Sequence, residues 1–138
     1  MDTGNVEGDA LSDHMVAEAL LTAHYIAAAV GAGLGQAAIS GVLASVADRS
    51  AITDIWVTDE NGQVEFGSVT GLDFQFPTDV TVGTQAAPFA ALLHGSQDVV
   101  VQGFREREVD GAPYKYGAVA GIDKPRIVQV GVAANGSA

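Results

Sequence analysis

Apolar positions first recur at helical spacing. Ser12 and Asp13 supply a cap, and Val16, Leu20, Ala23, Ala27, Val30 and Leu34 follow at intervals of three and four, which predicts an amphipathic helix. The run Gly31-Ala-Gly-Leu-Gly35 loosens it, and Ile39, Val42, Leu43 and Val46 carry a helical pattern on to about Asp48. From Ile52 the period becomes that of a strand. Ile-Thr-Asp-Ile-Trp-Val-Thr is rich in β-branched and aromatic residues, Asp59-Glu-Asn-Gly62 supplies a turn, and Gln63 to Ser68 should return as the paired strand.

Gly71 to Ala87 has no clean period and predicts a long loop folded over the domain, a kind of segment that is usually functional. Pro88 to His94 predicts a short helix with proline in its first turn and Gly95 just past its end. Three strands follow, at about 98 to 108, 113 to 121 and 126 to 133, separated by Asp110-Gly111 and by residues 122 to 125. The expected fold is α+β, a PAS-like five-stranded antiparallel sheet with a long N-terminal helix, or two helices, and a short helix packed against it. Residues 1 to 10 read as a vector-derived or frayed start, 11 to 134 as a single domain and 135 to 138 as a tail.

Charge narrows the partners. Six basic and seventeen acidic residues give a net charge of −11, which repels a phosphate backbone and excludes nucleic acid as the expected partner. Five of the six basic residues, Arg105, Arg107, Lys115, Lys124 and Arg126, fall in one C-terminal stretch, the one place that would welcome an anion; pairing with Glu106, Glu108, Asp110 and Asp123 is the plainer account. With no cysteine, thiolate metal sites and cysteine nucleophiles are excluded. Ala19 to Ala47 carries no Asp, Glu, Lys or Arg, yet its glycines, its polar residues and its alanines in place of leucines favour two soluble helices over a membrane span.

Candidate chemistry concentrates in the C-terminal hairpin. A two-residue loop at Asp110-Gly111 would set Arg107 opposite Tyr114, Glu106 opposite Lys115, Arg105 opposite Tyr116 and Val109 opposite Ala112. Two phenols then share a face with two guanidiniums, a surface suited to a small carboxylate, or equally to arginine stacked on tyrosine at a solvated sheet face. Trp56, Phe74, Phe76 and Phe89 are candidates to line a ligand cavity, although such residues more often make plain core. His14, His24 and His94 have no metal-ligand spacing, and His94 is expected to meet the last carbonyls of its helix. Asp48, Asp54, Asp59 and Glu60 read as a solvated turn. No phosphate loop and no nucleophile elbow is present, so the chain is expected not to be an enzyme and to carry no cofactor or metal.

Several segments resemble a known family in sequence order. They are Ile-Thr-Asp-Ile-Trp-Val-Thr-Asp-Glu-Asn-Gly at 52 to 62, Gly-Leu-Asp-Phe-Gln-Phe at 71 to 76 and Gln-Ala-Ala-Pro-Phe-Ala-Ala-Leu-Leu-His-Gly at 85 to 95. Val-Val-Val-Gln at 99 to 102, Arg-Glu-Val-Asp-Gly at 107 to 111, Tyr-Lys-Tyr at 114 to 116 and Asp-Lys-Pro-Arg-Ile-Val-Gln-Val-Gly at 123 to 131 continue the series. Together they resemble the single-unit Cache sensor domain over roughly Met15 to Val132.

That resemblance implies a PAS-like domain on the extracytoplasmic, periplasmic side of an inner-membrane chemoreceptor or histidine kinase. It would be tethered through membrane segments absent from this chain, with a homodimer contact along the N-terminal helix. Family members bind small ligands such as carboxylates, amino acids or amines against the sheet; here a small molecule such as a carboxylate is expected, and the residues themselves give Trp56, Phe74, Phe76, Phe89, Arg105, Tyr114, Lys115, Tyr116 and Arg126 as the expected ligand-binding set. The terminal strand, Arg126 to Val132, would relay the signal. The competing expectation is a cytoplasmic profilin-like or PAS-type interaction module that dimerises without a small ligand.

Overall fold

The computed structural model describes residues 4–69, 74–107 and 110–134. Helix α1 (Gly4–Gly31) is followed by α2 (Gln36–Asp48), strands β1 (Asp54–Thr58) and β2 (Val64–Gly67), a 3-10 turn (Ala87–Ala90) continued by the short α3 (Ala91–His94), and strands β3 (Val99–Val101), β4 (Arg105–Glu106), β5 (Pro113–Ala120) and β6 (Ile127–Ala133). The sheet is antiparallel with order β2-β1-β6-β5-β3, and β4 pairs with β5 on the β3 side. This is the expected α+β, PAS-like arrangement. The sheet has six strands because the stretch expected as one strand over 98 to 108 is interrupted at Gln102–Phe104.

Two helix expectations need correction. The helix starts at Gly4, ahead of the Ser12–Asp13 cap, so residues 4 to 10 of the stretch read as a vector-derived or frayed start are helical. Its buried stripe is Met15, Ala19, Ala23, Ile26 and Ala29, whereas Leu20, Val30 and Leu34 of the expected stripe are exposed. Small side chains let the helix approach the sheet closely, and Gly117 of β5 lies directly under Met15. The helix ends where Gly33 adopts φ +82, with Leu34 N donating to Ala29 O at 3.0 Å, a termination that glycine permits without strain.

The β1–β2 turn forms as its residues predict. Asp59 Oδ1 accepts from the amides of Asn61 and Gln63, and Gly62 takes φ +80. A side chain at Gly62 would strike Phe76 O, because residues 74 to 76 run along this hairpin, with Phe76 N donating to Gly62 O at 2.8 Å. Residues 77 to 86 form the expected loop, and His94 Nε2 lies 2.5 Å from Thr78 O, tying loop to helix instead of meeting the carbonyls of its own helix.

The sheet is packed on both sides. Helices α1 and α2 cover one face, where Met15, Ile26, Ile39, Leu43, Ile55, Val57, Phe66, Val119, Val128 and Val130 meet. The 74–94 segment covers the other, where Phe76, Phe89 and Leu92 lie over Tyr114, Tyr116, Ala118 and Ile127. Each fully buried Phe or Leu contributes about 1.5–3 kcal/mol, which suffices to hold a segment with little regular structure. Among the described residues no helix is long and apolar enough to cross a membrane.

Candidate functional site

Strand register builds the loop-covered face as a grid. In one row Asp54 of β1 faces Gly131 of β6, which faces Tyr116 of β5; in the next, Trp56 faces Gln129, which faces Ala118. Tyr114 faces Ala133 at the end of β5. Directly opposed residues in antiparallel strands point to the same side. The floor is therefore small or polar, made by Gly131, Ala118, Ala133 and Gln129, and the tall side chains Trp56, Tyr114 and Tyr116 stand at its margins.

Aromatic contacts continue the walls. Trp56, Phe74, Phe76 and Phe89 form a chain with ring centroids 6.2, 5.0 and 6.4 Å apart, and the last two contacts are edge-to-face. Tyr114 and Tyr116 stack at 5.7 Å, and the Arg107 guanidinium lies 3.8 Å over the Tyr114 ring.

A charged cluster closes one end. Arg107 Nη1 donates to Asp54 Oδ2 and to the Tyr116 hydroxyl, each at 3.2 Å, and Tyr116 donates to Asp54 Oδ2 at 3.5 Å. Arg107 Nε donates to Asp110 Oδ1 at 3.1 Å and Nη2 to Asp110 Oδ2, so the guanidinium is committed to two carboxylates. The Ala112 amide holds Asp110 Oδ1 in turn.

Asp54 is 3% exposed, and its Oδ1 has no hydrogen-bond partner among the described residues. Such an orphaned buried acceptor costs roughly 1–3 kcal/mol. Gln129, 4% exposed, pairs through its backbone with Trp56 and Ala118, and its side chain makes no hydrogen bond among the described residues. Burial pushes the Asp54 carboxyl above the usual range, while the Trp56 indole, Arg107 and Tyr116 oppose the shift. Burial and the neighbouring Asp54 charge raise the Tyr116 phenol, and Arg107 lowers the exposed Asp110.

The structure brings together Trp56, Phe74, Phe76, Phe89, Tyr114 and Tyr116 of the expected set. Arg105 pairs with Tyr114 by register, but its side chain is exposed and makes no hydrogen bond or ion pair among the described residues. The expected pairing of Arg107 with Tyr114 is displaced by two residues, because Arg107 N donates to Ala112 O and the loop is longer than Asp110-Gly111; the shift preserves which residues share a face. Val109, placed opposite Ala112 on sequence, and residues 71 to 73 of the loop lie outside the described residues.

Lys115 and Arg126 do not join the site. Lys115 alternates to the helix side of β5, where its Nζ donates to Gln102 O at 3.4 Å. Arg126 is buried at the far end of the sheet beneath Phe66, donating to Asp123, Glu65 Oε1 and Thr58 O.

Three residues of the site escaped the sequence reading. Asp54, assigned to a solvated turn, is instead buried in β1, and its alternation with Trp56 was the available signal. Gln129 and Gly131 sit in an otherwise β-branched strand, where an interior glycine marks close approach. A Cβ at Gly131 would lie 2.1 Å from Asp54 Oδ1 and 2.5 Å from the Tyr116 ring. Only glycine there leaves room for both side chains.

Among the described residues no group of three or more His, Asp or Glu is placed to hold a metal ion. The chain matches no protein-family model, and no curated protein matches it.

Proposed function

We propose that this chain is a small-molecule sensor module of a transmembrane signalling receptor, with its ligand site on the loop-covered sheet face. The observation that carries the proposal is the buried Asp54 carboxyl, whose Oδ1 has no hydrogen-bond partner among the described residues, in an aromatic-walled surface with a small-residue floor. A face built only for stability would match its polar groups or omit them. Ligand pockets combine apolar walls with a few convergent polar groups in this way. The PAS-like fold and the ordered resemblance to the Cache sensor domain support the same reading. They favour an extracytoplasmic position, between membrane segments outside this chain, on a chemoreceptor or histidine kinase.

Gln129 and Gly131 belong to β6, and Asp54 and Tyr116 pack directly over Gly131, so a ligand that moves those side chains acts on the terminal strand. That strand is tied to the start of β1, where Thr53 N donates to Gly131 O at 2.7 Å and Ala133 N donates to Thr53 Oγ1 at 2.9 Å. A ligand shifts the receptor between two states by its differential affinity for them. The test is a thermal-shift screen of the purified chain against carboxylates, amines, amino acids and sugars. A ligand at 100 times its Kd adds about 2.7 kcal/mol of stability. A selective shift lost in Trp56→Ala supports the proposal, and no shift with any class contradicts it.

A second reading rests on a different surface. An apolar groove of about 320 Å³ runs between α1 and α2, lined by Leu21, Tyr25, Val42 and Val46 among others, and Leu21 is 72% exposed. That surface suits a protein-interaction module dimerising through its helices. Under this reading Leu21→Glu converts a dimer to a monomer in sedimentation experiments and small molecules produce no thermal shift.

A further inference from the structure

We infer that the chain forms a symmetric dimer by joining its β3 edge, Val99–Val101, to the β3 edge of a second copy, so that two sheets become one. This contact lies away from the ligand face and needs no ligand. The two edges of the sheet are finished differently. At the β2 edge the chain meets its own backbone groups: Gln36 Nε2 of α2 donates to Glu65 O, Gly67 N donates to Ser40 Oγ at 3.3 Å, and Val64 N donates to Phe74 O at 3.1 Å. That edge is closed.

The β3 edge is open. Ala120 N donates to Asp98 O at 3.0 Å and Gln102 N donates to Tyr116 O at 2.9 Å, so residues 98, 100 and 102 turn their backbone groups towards β5. Val99 and Val101 alternate with them and each turns an amide and a carbonyl outwards, where nothing among the described residues hydrogen-bonds to them. The strand has no Lys and no Pro, the residues that commonly guard an edge. Val99, Val101 and the neighbouring Phe104 are all exposed. The interruption at Gln102–Phe104 confines the open edge to these few positions.

Self-complementarity selects a second copy as the occupant. In an antiparallel pairing with Val100 on the two-fold axis, Val99 lies opposite Val101 of the second copy and Val101 opposite its Val99, so every outward amide meets an outward carbonyl. Val99 and Val101 share the helix side of the sheet, where they meet their counterparts. Asp98 and Arg105 lie on the loop-covered side, Asp98 by alternation with Val99 and Arg105 by its pairing with Tyr114. Both side chains are exposed and make no hydrogen bond or ion pair among the described residues. The two-fold axis brings the Asp98 end of each strand to the Arg105 end of the other, which gives each charge an opposite partner. So short an edge buries less than a standard interface, and the dissociation constant is expected at about 100 µM.

The test is sedimentation velocity of the whole chain from about 10 µM to about 1 mM, a range that brackets that constant. The average mass is expected to rise from monomer towards dimer. Val101→Pro removes an outward amide and leaves the β3–β5 bonds in place; it should weaken the dimer roughly ten- to a hundredfold, the worth of the two backbone bonds lost. Asp98→Arg should weaken it about three- to tenfold even though it lowers the net charge, and combining it with Arg105→Asp should restore the affinity.

Amide exchange in the unaltered chain guards against misfolding of Val101→Pro. The Val99 and Val101 amides should exchange more slowly as concentration rises, while the Val100 amide, turned towards β5, is protected throughout. A monomer at every concentration overturns the inference, even if an added extended peptide slows those two amides. A dimer that Leu21→Glu abolishes and Val101→Pro leaves intact also overturns it, and moves the contact to the α1–α2 groove. Strengthening by Asp98→Arg overturns it as well, because the two-fold pairing requires the reverse.

Discussion

The two faces of the sheet are both buried, yet they are built by opposite rules. Under α1 and α2, Met15, Ile26, Val57, Val128 and Val130 interlock, and the helix brings mostly alanine and isoleucine to meet them. Under the 74–94 segment, the sheet itself contributes Asp54, Trp56, Gln129, Tyr114 and Tyr116 around Gly131 and Ala118, and the cover is largely loop. The first face is a core in which apolar volume is matched by apolar volume. The second keeps, among the described residues, an unmet acceptor in a buried position, which costs stability.

The two largely buried arginines sharpen the contrast. Arg126 bridges Glu65, Asp123 and Thr58 O and closes the end of the sheet. Arg107 also bridges two carboxylates, but one of them, Asp54, is left half satisfied. The same chemistry serves as a clamp in one place and as scaffolding for an unmet acceptor in the other.

The comparison can be broken most forcefully on the helix face. Ile26→Ala should lower stability by about 3 kcal/mol in urea unfolding while leaving ligand affinity in the folded fraction unchanged. Gly131→Ala should cost about 2 kcal/mol through overpacking and also abolish binding, because Asp54 and Tyr116 must move. If both variants lose binding equally, the faces are not functionally distinct. Tyr116→Phe removes a hydroxyl shared by Arg107 and Asp54 and should cost about 1 kcal/mol, read from the same urea midpoints.

The smallest expected effect is in the pH dependence. Burial raises the Asp54 carboxyl, so the folded chain holds that proton more tightly than the unfolded chain. Its contribution to stability is greatest in acid and falls as pH rises from the ordinary aspartate range through the raised value. Asp110 and Asp123 are lowered by their arginines and act in the opposite sense, losing stability as pH falls below the ordinary range. In Asp54→Asn the first component should vanish and the second remain, which urea midpoints taken between pH 3 and 7 would separate.

Much of the fold was legible because its elements are local. Asp59 and Gly62 fix the first hairpin, proline and Gly95 bracket the short helix, and alternation marks β5 and β6. Side-chain size does not give the phase of α1, because Leu20 and Leu21 face solvent while Ala19, Ala23 and Ala29 face the sheet. The site was half legible. Aromatic residues and tyrosines announce themselves by type, whereas Asp54 and Gln129 become significant only when β6 is placed between β1 and β5, a long-range pairing that no local pattern encodes. Lys115 and Arg126 belong to the same basic stretch as Arg107, but alternation and the sheet's length separate them from Tyr116.

The most direct test of the claim that the loop-covered face is the binding face is a two-dimensional NMR titration with the compound from the thermal-shift screen that stabilises the chain most, following the Trp56 indole N–H, the Gln129 side-chain amide and the Gly131 amide. The account predicts that these signals move together and saturate while the Met15 and Ile26 amides of α1 stay in place. Movement confined to the α1–α2 groove around Leu21 and Val46, or no movement at all, would contradict it.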